Sequence, residues 1–385
     1  MALFAIPTHV VFGTEALSQA GAYMKKFGNR ALVVTGPHVA RSPMICELKK
    51  TLEKEEIAYM VFDGITGEPT DEMIRQGLEA YKKSHSRFII GIGGGSPLDA
   101  AKAIALMSVQ EEDTEIAGFM GEPIYCQVPK IVAIPTTSGT GSEATKFTVI
   151  TNTKTDVKML LAGDCLIPDL AVINYEYTMD MPKSVTASTG LDALTHAIES
   201  YTSRKASELT DVYAISAVKR IMRNLPIVYN HGNDGVAREQ MALAAFEAGV
   251  CINNASVTLV HGMSRPIGAI FHVSHGTSNA MLLGECLSFA MDGACERFAN
   301  LGRACGYAEE GEDDMAAAEK FVAAVREVIK TCEIPTISEY GIDVKAFAKA
   351  IPKMAEDAMA SGSPGNTRKT ICKEDCERIY HKLIS

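Results

Sequence analysis

The sequence predicts an α/β N-terminal domain built on a doubly wound parallel sheet, followed by an all-α C-terminal domain. In the first half, short apolar runs alternate with helical patterns, which is the order expected of βαβ units. From about residue 180 onwards strand-like runs almost vanish and helical patterns dominate. We place the boundary next to Pro182. This divides the chain into residues 1–181, expected to bind a dinucleotide, and residues 182–385, expected to bind a metal.

Four strands are predicted in the N-terminal domain, each as a short apolar run next to turn residues. The run ALVVT, for example, ends at Gly36 and Pro37. Helical stretches between the runs give the alternation of a parallel sheet. The strands are expected at residues 31–35, 58–62, 87–92 and 130–135, and the helices at residues 71–83 and 96–108, with a further helix ending near residue 56.

The C-terminal domain is predicted to be a succession of helices without an internal repeat. They are expected at residues 184–203, 207–224, 234–252, 256–270, 276–291, 294–305, 312–332 and 344–360. A chain of 385 residues exceeds what one hydrophobic core comfortably organises, which agrees with two domains.

The composition indicates a globular protein and argues against several partners. The apolar fraction is 47% and the charged fraction 22%, both ordinary for a globular chain. A net charge of -10 argues against nucleic acid or an anionic membrane surface as a partner. No basic segment precedes an apolar run at the N-terminus, and no apolar stretch reaches the ~18 residues of a membrane helix. We therefore expect a cytoplasmic protein, and in such a protein the ten scattered cysteines are expected to be reduced thiols.

A glycine-rich loop lies between the third predicted strand and the following helix, in the segment GIGGGSPLDAAKA at residues 91–103. Ser96 is expected to be the N-cap of that helix, with Asp99 in its first turn. Glycines let the backbone approach a ligand, and a helix N-terminus offers unpaired N–H groups to a pyrophosphate. The spacing departs from the dinucleotide fingerprint GxGxxG, so a tightly packed turn is the alternative. The predicted cofactor residues of this loop are Gly94, Gly95, Ser96 and Asp99.

A second loop, PTTSGTGSEAT at residues 135–145, follows the fourth predicted strand. Its hydroxyl groups and glycines can hydrogen-bond a nucleotide without adding charge. Ligands of open α/β sheets bind outside the carboxyl ends of the strands. Two such loops at neighbouring strand ends therefore favour a nucleotide site.

A carboxylate and three histidines in the C-terminal domain indicate a metal site. Asp192 and His196 are four residues apart in GLDALTHAIES and so share one face of a predicted helix. Their neighbours are apolar, and a buried carboxylate or imidazole is costly unless it is paired or binds a metal. His261 and His275 are each followed by glycine, fourteen residues apart. One carboxylate and three imidazoles suit a borderline divalent ion such as Fe(II) or Zn(II).

An ordinary arrangement of the same residues is the alternative. Asp192 and His196 then form an i, i+4 helix pair, and His261 and His275 are core histidines with hydrogen-bond partners. The presence of all four residues in one apolar domain, next to a nucleotide-binding half, favours the metal.

These segments resemble those of the iron-containing (group III) alcohol dehydrogenases. The resemblance covers most of the chain up to about residue 290, while the remainder matches only in length and helical character. It implies hydride transfer between NAD(P) and an alcohol or aldehyde, with the metal as Lewis acid. The matching segments are FAIPTHVVFG, GIGGGSPLDAAKA, AIPTTSGTGSEAT, IPDLAVIN, TGLDALTHAIESY, LVHGMSRPIGA and HVSHGTSNAMLL.

The resemblance implies four metal ligands and a set of cofactor contacts. The ligands are Asp192, His196, His261 and His275, with iron expected and zinc or another divalent ion as alternatives. The cofactor contacts are Gly95, Ser96, Thr136, Thr137 and Lys158, the last of which reaches the ribose. Homodimers or larger homo-oligomers are implied as well.

One departure from the family concerns Gly36, which follows the first predicted strand. Many members carry an aspartate there, which accepts a hydrogen bond from the ribose 2′-hydroxyl and repels a 2′-phosphate. The glycine removes that repulsion, and Arg41 is the nearest basic residue along the chain. We therefore expect either NAD or NADP as the cofactor.

A second departure concerns proton transfer and substrate. Many members carry a histidine four residues after the third ligand, where this chain has Arg265. His272 is a candidate to replace that relay, and a solvent-facing loop residue is the alternative. Arg265 shares a helix face with His261, and its guanidinium suits a carboxylate, phosphonate or sulfonate. Pairing of Arg265 with a buried acid is the alternative.

We therefore expect a short alcohol or aldehyde with an anionic end, of which succinate semialdehyde and sulfoacetaldehyde are representative. The segment HGMSRPIGAIFHVSHG also resembles family members of the 4-hydroxybutyrate type. The alternatives are a dehydrogenase for neutral diols, a dehydroquinate synthase-like lyase that uses NAD and metal, and a non-catalytic binding protein.

Overall fold

The computed structural model describes residues 3–385, which divide into two compact units. The first unit comprises Ala5–Asp180. The second comprises Met181–Ser385 together with Leu3 and Phe4. Each unit has buried hydrophobic clusters of its own.

A six-stranded parallel sheet forms the centre of the first unit, and an antiparallel hairpin lies apart from it. The sheet order is β1-β8-β5-β4-β2-β3. Its strands are β1 His9–Phe12, β2 Arg30–Val34, β3 Ala58–Phe62, β4 Phe88–Gly93, β5 Lys130–Pro135 and β8 Leu170–Ile173. The hairpin strands are β6 Phe147–Asn152 and β7 Val157–Ala162.

Helices cover both faces of this sheet, which makes the fold doubly wound, as predicted. They are α1 Ala16–Phe27, α2 Pro43–Lys54, α3 Asp71–Ser84 and α4 Gly95–Met107. Successive residues of a strand point to opposite faces. Ala31 and Val33 of β2 therefore pack in one cluster with α1 and α2, whereas Leu32 and Val34 pack in another with α3 and α4.

The order of the strands reverses beside β2, which has β3 on one side and β4 on the other. Ligands of open α/β sheets bind outside the carboxyl ends of the strands at such a reversal. Gly36 follows β2, and Gly94 and Gly95 follow β4, so all three glycines predicted to contact the cofactor lie at this point.

The described part of the second unit consists of helices joined by loops and turns, without a β-strand. Its helix α5 is buried along most of its twenty residues and packs against α6, α7 and α9. The helices are α5 Lys183–Thr202, α6 Glu208–Asn230, α7 Gly235–Ala255, α8 Leu259–Phe271, α9 His275–Ala290, α10 Cys295–Ala304, α11 Asp314–Thr331, α12 Val344–Ala360 and α13 Lys373–Lys382.

Across residues 3–385, no single helix is both long and apolar enough to cross a membrane. One pair of neighbouring helices, Gly235–Ala255 and Leu259–Phe271, meets the length and composition criteria jointly, but it is bent by 101° at the break.

Candidate active site

The structure brings together the four predicted metal ligands. Asp192 and His196 lie one turn apart on α5, His261 lies in the first turn of α8, and His275 is the first residue of α9. Asp192 Oδ1 lies 3.7 Å from Nε2 of each of the three histidines. All four ligand atoms lie within 4.8 Å of one another. This is close enough for a single ion to be bound by all of them, because metal–N and metal–O bonds are ~2.0–2.2 Å.

The glycine after each of the two later histidines permits a close contact beside that ligand, with α5 in one case and with the segment around Pro364 in the other. A β-carbon at Gly276 would lie 2.4 Å from the carbonyl oxygen of Ser188 on α5. A β-carbon at Gly262 would lie 2.7 Å from Cδ of Pro364. Real contacts are never that short, so only glycine permits these approaches. The repeated His-Gly pair is therefore a packing requirement of the site.

Burial favours the neutral form of His261 and His275, in which one ring nitrogen carries a lone pair that can bind a cation. The side chains of Asp192, His196 and His261 are only 4–6% exposed. Desolvation lowers the pKa of His261 well below its usual value, and the nearby His196 lowers it further. His275 is 46% exposed at its outer side, but its Nε2 faces the cluster, and desolvation lowers its pKa to about 4. Neutral imidazole is the form that ligates metals.

A buried carboxylate orients one of these histidines. Glu199 Oε2 lies 2.6 Å from Nδ1 of His261. Its other oxygen accepts hydrogen bonds from the Thr258 hydroxyl at 2.7 Å and from the Val260 amide at 2.6 Å. Desolvation raises the pKa of Glu199, and the hydrogen bonds of Thr258 oppose that rise. A carboxylate at Nδ1 holds the proton there, so Nε2 keeps its lone pair for the cluster.

Glu199 was not among the residues predicted from the sequence. The spacing could have indicated it, because Glu199 stands seven residues after Asp192 and three after His196. These spacings place all three side chains on one face of a helix.

Asn279 supplies an observation on whether this site fits a cation. Its side chain is fully buried, and its amide nitrogen lies 2.8 Å from Asp192 Oδ1. The same nitrogen lies 3.2 Å from Nε2 of both His261 and His275. One NH₂ group has two hydrogens and cannot satisfy three acceptors. The ligand atoms therefore form an acceptor-rich centre, as a divalent cation requires.

The two other residues predicted for this site have different surroundings. Arg265 is exposed, lies one turn after His261 on the continuous helix α8, and donates to Ser363 Oγ at 3.1 Å. Desolvation lowers its pKa and Glu199 raises it, so this cation lies within the electrostatic reach of the cluster. In the described part of the chain Arg265 makes no ion pair. His272 is exposed in the left-handed C-cap position of α8 and is not among the four converging residues.

The glycine loop leads into the N-terminus of α4, with two corrections to the prediction. Helix α4 begins at Gly95 with Gly94 as its N-cap, so Ser96 lies in the first turn and is not the N-cap. Gly94 is the last extended residue and Gly95 is already helical, so the helix starts one residue before Ser96. Asp99 consequently lies beyond the first turn, in which it was predicted. Gly94 caps the helix without a side-chain hydrogen bond, so the N–H groups of the first turn stay available to a ligand.

The second loop lies directly beside the first. The Thr136 amide donates to the Gly93 carbonyl at 2.8 Å. A β-carbon at Gly94 would lie 3.6 Å from Thr137, and one at Gly95 would lie 3.0 Å from Thr140. The backbone at these glycines is therefore flanked by hydroxyl-bearing side chains.

Gly36 has a packing role of its own. A β-carbon there would lie 2.7 Å from the carbonyl oxygen of Ile65. An aspartate at this position needs a shift of the backbone as well as a new charge.

Asp99 and Lys158 have partners within the protein. The two carboxylate oxygens of Asp99 accept from the Ser142 hydroxyl at 2.6 Å and from the Val149 amide at 2.9 Å. Desolvation raises the pKa of Asp99, against the effect of Lys102. Lys158 lies on the hairpin strand β7 and pairs with Glu68 at 2.7 Å.

Comparisons with known proteins cover nearly the whole chain. Residues 7–175 match the family model described as iron-containing alcohol dehydrogenase, and residues 186–384 match the model of the C-terminal part of that family. The chain is 35% identical over 380 residues to a 1,3-propanediol dehydrogenase of Citrobacter freundii, with 97% of each chain covered. It is 32% identical over 383 residues to an NADPH-dependent butanol dehydrogenase of Clostridium saccharobutylicum, covering 99% of this chain and 97% of the relative.

A solved structure is similar over the full length. The crystal structure of a 1,3-propanediol oxidoreductase superposes with a TM-score of 0.95 at 31% identity and covers 100% of both chains. Enzymes of this family use NAD(P) together with a divalent metal. The chain therefore belongs to the iron-containing alcohol dehydrogenase family and is an oxidoreductase that acts on small alcohols or aldehydes.

Proposed function

We propose that this protein transfers hydride between NAD(P) and a short alcohol or aldehyde, with Asp192, His196, His261 and His275 as the metal ligands. The observation that carries this proposal is the convergence of the four ligand atoms within 4.8 Å. A divalent ion bound by these side chains supplies a Lewis acid for the substrate oxygen. A lyase is disfavoured, because both family models describe alcohol dehydrogenases.

The protein's own residues prepare this site for its ligand. Glu199 holds the Nδ1 proton of His261, and burial favours the neutral form of His261 and His275. The surrounding apolar helices bury Asp192, His196 and His261, and this shielding from water strengthens the electrostatic interactions among them. Positioning and electrostatics are therefore what the chain contributes, while the nicotinamide ring carries the hydride.

For the cofactor, the proposal assigns the pyrophosphate to Gly94, Gly95 and Ser96 at the N-terminus of α4. Support comes from the uncapped first turn and the adjacent hydroxyls of Thr136 and Thr137. Lys158 remains a candidate for the ribose and would exchange its exposed partner Glu68 for it. Gly36 has no carboxylate that would repel the 2′-phosphate of NADP, so we propose that the cofactor is either NAD or NADP.

The finer part of the proposal is a substrate with an anionic end. The guanidinium of Arg265 has Ser363 as its hydrogen-bond partner and, among the described residues, no carboxylate at salt-bridge distance. A guanidinium presents a donor fork that matches a carboxylate, phosphonate or sulfonate. Its position one turn after His261 makes it available to the far end of a short substrate.

Neutral alcohols are the second candidate class, and the named relatives favour them. The names 1,3-propanediol dehydrogenase and butanol dehydrogenase refer to substrates without an anionic group. A substrate comparison therefore decides between the two classes.

We expect Arg265→Ala to discriminate between charged and neutral aldehydes. The measurement is kcat/KM for succinate semialdehyde and for butanal, which have equal chain length, in wild type and variant. Losing the charged contact should cost the anionic substrate about 2–5 kcal/mol of transition-state binding and the neutral one much less. His272→Ala in the same assay tests the proton relay through the pH dependence of kcat.

Arg223→Ala serves as the control, because Arg223 is an exposed arginine of the same unit on α6. It should leave both substrates unaffected. Equal losses for both aldehydes in Arg265→Ala, or a wild-type preference for butanal, would exclude the anionic substrate and assign Arg265 a structural role.

Two further properties complete the proposal. The ten cysteines are all free, as is typical of a reducing compartment, so we propose a cytoplasmic location.

Phe12 is 61% exposed on β1, which is an edge strand of the sheet. Because such an edge can be covered by a second subunit, we propose a homodimer or larger homo-oligomer, which light scattering would test.

A further inference from the structure

The first unit contains a fully buried lysine that the reaction does not use. Lys102 lies on α4, two turns after the glycine loop, and its side chain has 0% exposure. Its Nζ donates to the Thr145 carbonyl at 2.8 Å, to the Thr145 hydroxyl at 3.2 Å and to the Phe147 carbonyl at 2.9 Å. All three acceptors lie where the second cofactor loop runs into β6.

The charges that face Lys102 are Asp99 on its own helix and Glu143 on the loop. Burial lowers the pKa of Lys102 to about 8, against the opposing effect of these two acids. Burial also raises the pKa of Glu143 to about 7. The three oxygen partners of Nζ match the three donors of a protonated ammonium group.

Asp99 holds the same segment from the preceding turn of α4. Its carboxylate accepts from Ser142 and Val149, and its carbonyl accepts from the Thr148 hydroxyl at 2.8 Å. One helix thus fixes residues 142–149 through a buried cation and a buried anion. The N-terminus of that helix carries Gly95 and Ser96, which belong to the proposed pyrophosphate site.

A purely structural explanation does not account for a charge at this position. Burying a lysine costs free energy, and an apolar side chain of similar length would fill the space at lower cost. A cation adds the ability to hold three oxygen atoms of a loop at fixed positions. The loop so fixed contains Thr140, which contacts Gly95, and begins with Thr136 and Thr137.

We infer that Lys102 is a positioning residue for cofactor binding. It holds the second cofactor loop, residues 135–145, against the N-terminus of α4 without contacting the cofactor itself. The inference rests on the proposed placement of NAD(P) at these two loops. It also gives Asp99 a role in shaping the site in place of direct contact with the cofactor.

Lys102→Met tests this inference, because methionine keeps the length and apolar volume of the side chain and removes the charge. We expect the Kd for NADH and NADPH, measured by fluorescence titration, to rise by about tenfold, since the loop must then be ordered on binding. KM for the aldehyde and the metal content should stay unchanged. Amide exchange should accelerate in residues 140–147 and stay slow in Phe88–Gly93.

A matched control is Arg238→Met in the second unit. Arg238 is also a buried cation, 2% exposed, and it donates to Gly232 O and Thr186 Oγ1. Its replacement should lower stability and leave the Kd for NADPH unchanged. If Arg238→Met weakened NADPH as much as Lys102→Met, the effect would be general destabilisation and the inference would be wrong.

Two further variants separate the possible failures. Thr145→Val keeps the shape of its residue and removes one acceptor of Lys102, so it should weaken NADPH severalfold even if Lys102→Met does not fold. Gly95→Val alters the proposed contact itself and should abolish binding. Unchanged NADPH affinity in Lys102→Met, with binding lost in Gly95→Val, overturns the inference alone. Unchanged affinity in Gly95→Val overturns the proposed cofactor site, and the inference with it.

Discussion

At the scale of single residues, Glu199 determines what His261 can do. The carboxylate accepts from the ring at Nδ1 and simultaneously from the Thr258 hydroxyl and the Val260 amide at the N-terminus of α8. A helix N-terminus stabilises a negative charge. The charge in turn fixes the ring proton on Nδ1, so the tautomer of His261 is set by a residue that is not itself a ligand.

Glu199→Gln should therefore weaken metal binding although its shape is preserved. With its oxygen towards Thr258 and Val260, the glutamine NH₂ faces Nδ1 of His261 and favours the tautomer with the proton on Nε2. With the amide turned round, the NH₂ opposes the donors of Thr258 and Val260. We expect metal affinity to fall about 10–100-fold, measured for Zn(II) by chelator competition.

Glu285→Gln is the control for this variant. Glu285 belongs to the same unit but pairs with Arg326 at 2.7 Å, away from the ligands. The Glu285→Gln variant should bind Zn(II) with wild-type affinity. Wild-type affinity in Glu199→Gln would mean that the ring orientation of His261 is set by packing.

The four ligands could be predicted because their residue types and the i, i+4 spacing of Asp192 and His196 are visible in the sequence. Asn279 stands four residues after His275, so its place on the same helix face was visible, but its contact with Asp192 depends on the packing of α9 on α5. Asp99 is a related case. Its position early in α4 was visible, although it lies beyond the first turn, and its partners Ser142 and Val149 are set by tertiary structure.

At the scale of secondary-structure elements, the crossing of α5 and α9 positions His275. The two helices touch where Gly276 faces the backbone of Ser188, and His275 directly precedes this contact. An added methyl group would meet a carbonyl oxygen that cannot move without moving α5. The distance between Asp192 and His275 therefore depends on a glycine.

Gly276→Ala should destabilise the protein and weaken metal binding together. Overpacking of a close contact costs about 1–3 kcal/mol, which denaturant unfolding would measure. Gly365→Ala is the control, because a β-carbon at Gly365 would meet nothing within 4 Å. We expect that variant to keep wild-type stability and metal affinity. Equal behaviour of the two variants would show that α9 can shift without loss.

The sequence predicted the central strands and most of the helices, but not two short strands, the hairpin and the helices nearest the two ends of the chain. The four predicted strands are β2, β3, β4 and β5, the apolar centre of the sheet and its β3 edge. Strands β1 and β8 were missed, since each has four residues and they pair with one another across most of the unit. Helices α1 and α13 and the hairpin β6–β7 were also missed. The hairpin is half exposed, lies outside the six-stranded sheet and packs on α4 through β6.

At the scale of the whole molecule, the proposed metal site and the proposed cofactor site belong to different compact units. The proposed metal ligands all belong to Met181–Ser385, and the proposed cofactor contacts all belong to Ala5–Asp180. Each unit also has its own hydrophobic clusters.

Removal of the metal by a chelator should therefore act on one unit only. Without a cation, the buried carboxylate of Asp192 and the three imidazoles lose their common partner, so the melting temperature should fall. Adding Zn(II) back should restore it by an amount that follows the free metal concentration, about 2.7 kcal/mol of stability at a hundredfold excess over Kd. The Kd for NADPH of the stripped protein should stay within about twofold of the loaded one, as expected for independent sites. The His261→Ala variant should behave like the stripped protein and fail to respond to Zn(II). If the stripped protein lost its affinity for NADPH, the two sites would be coupled. The assignment of cofactor binding to Gly94, Gly95 and Ser96 alone would then have to be abandoned.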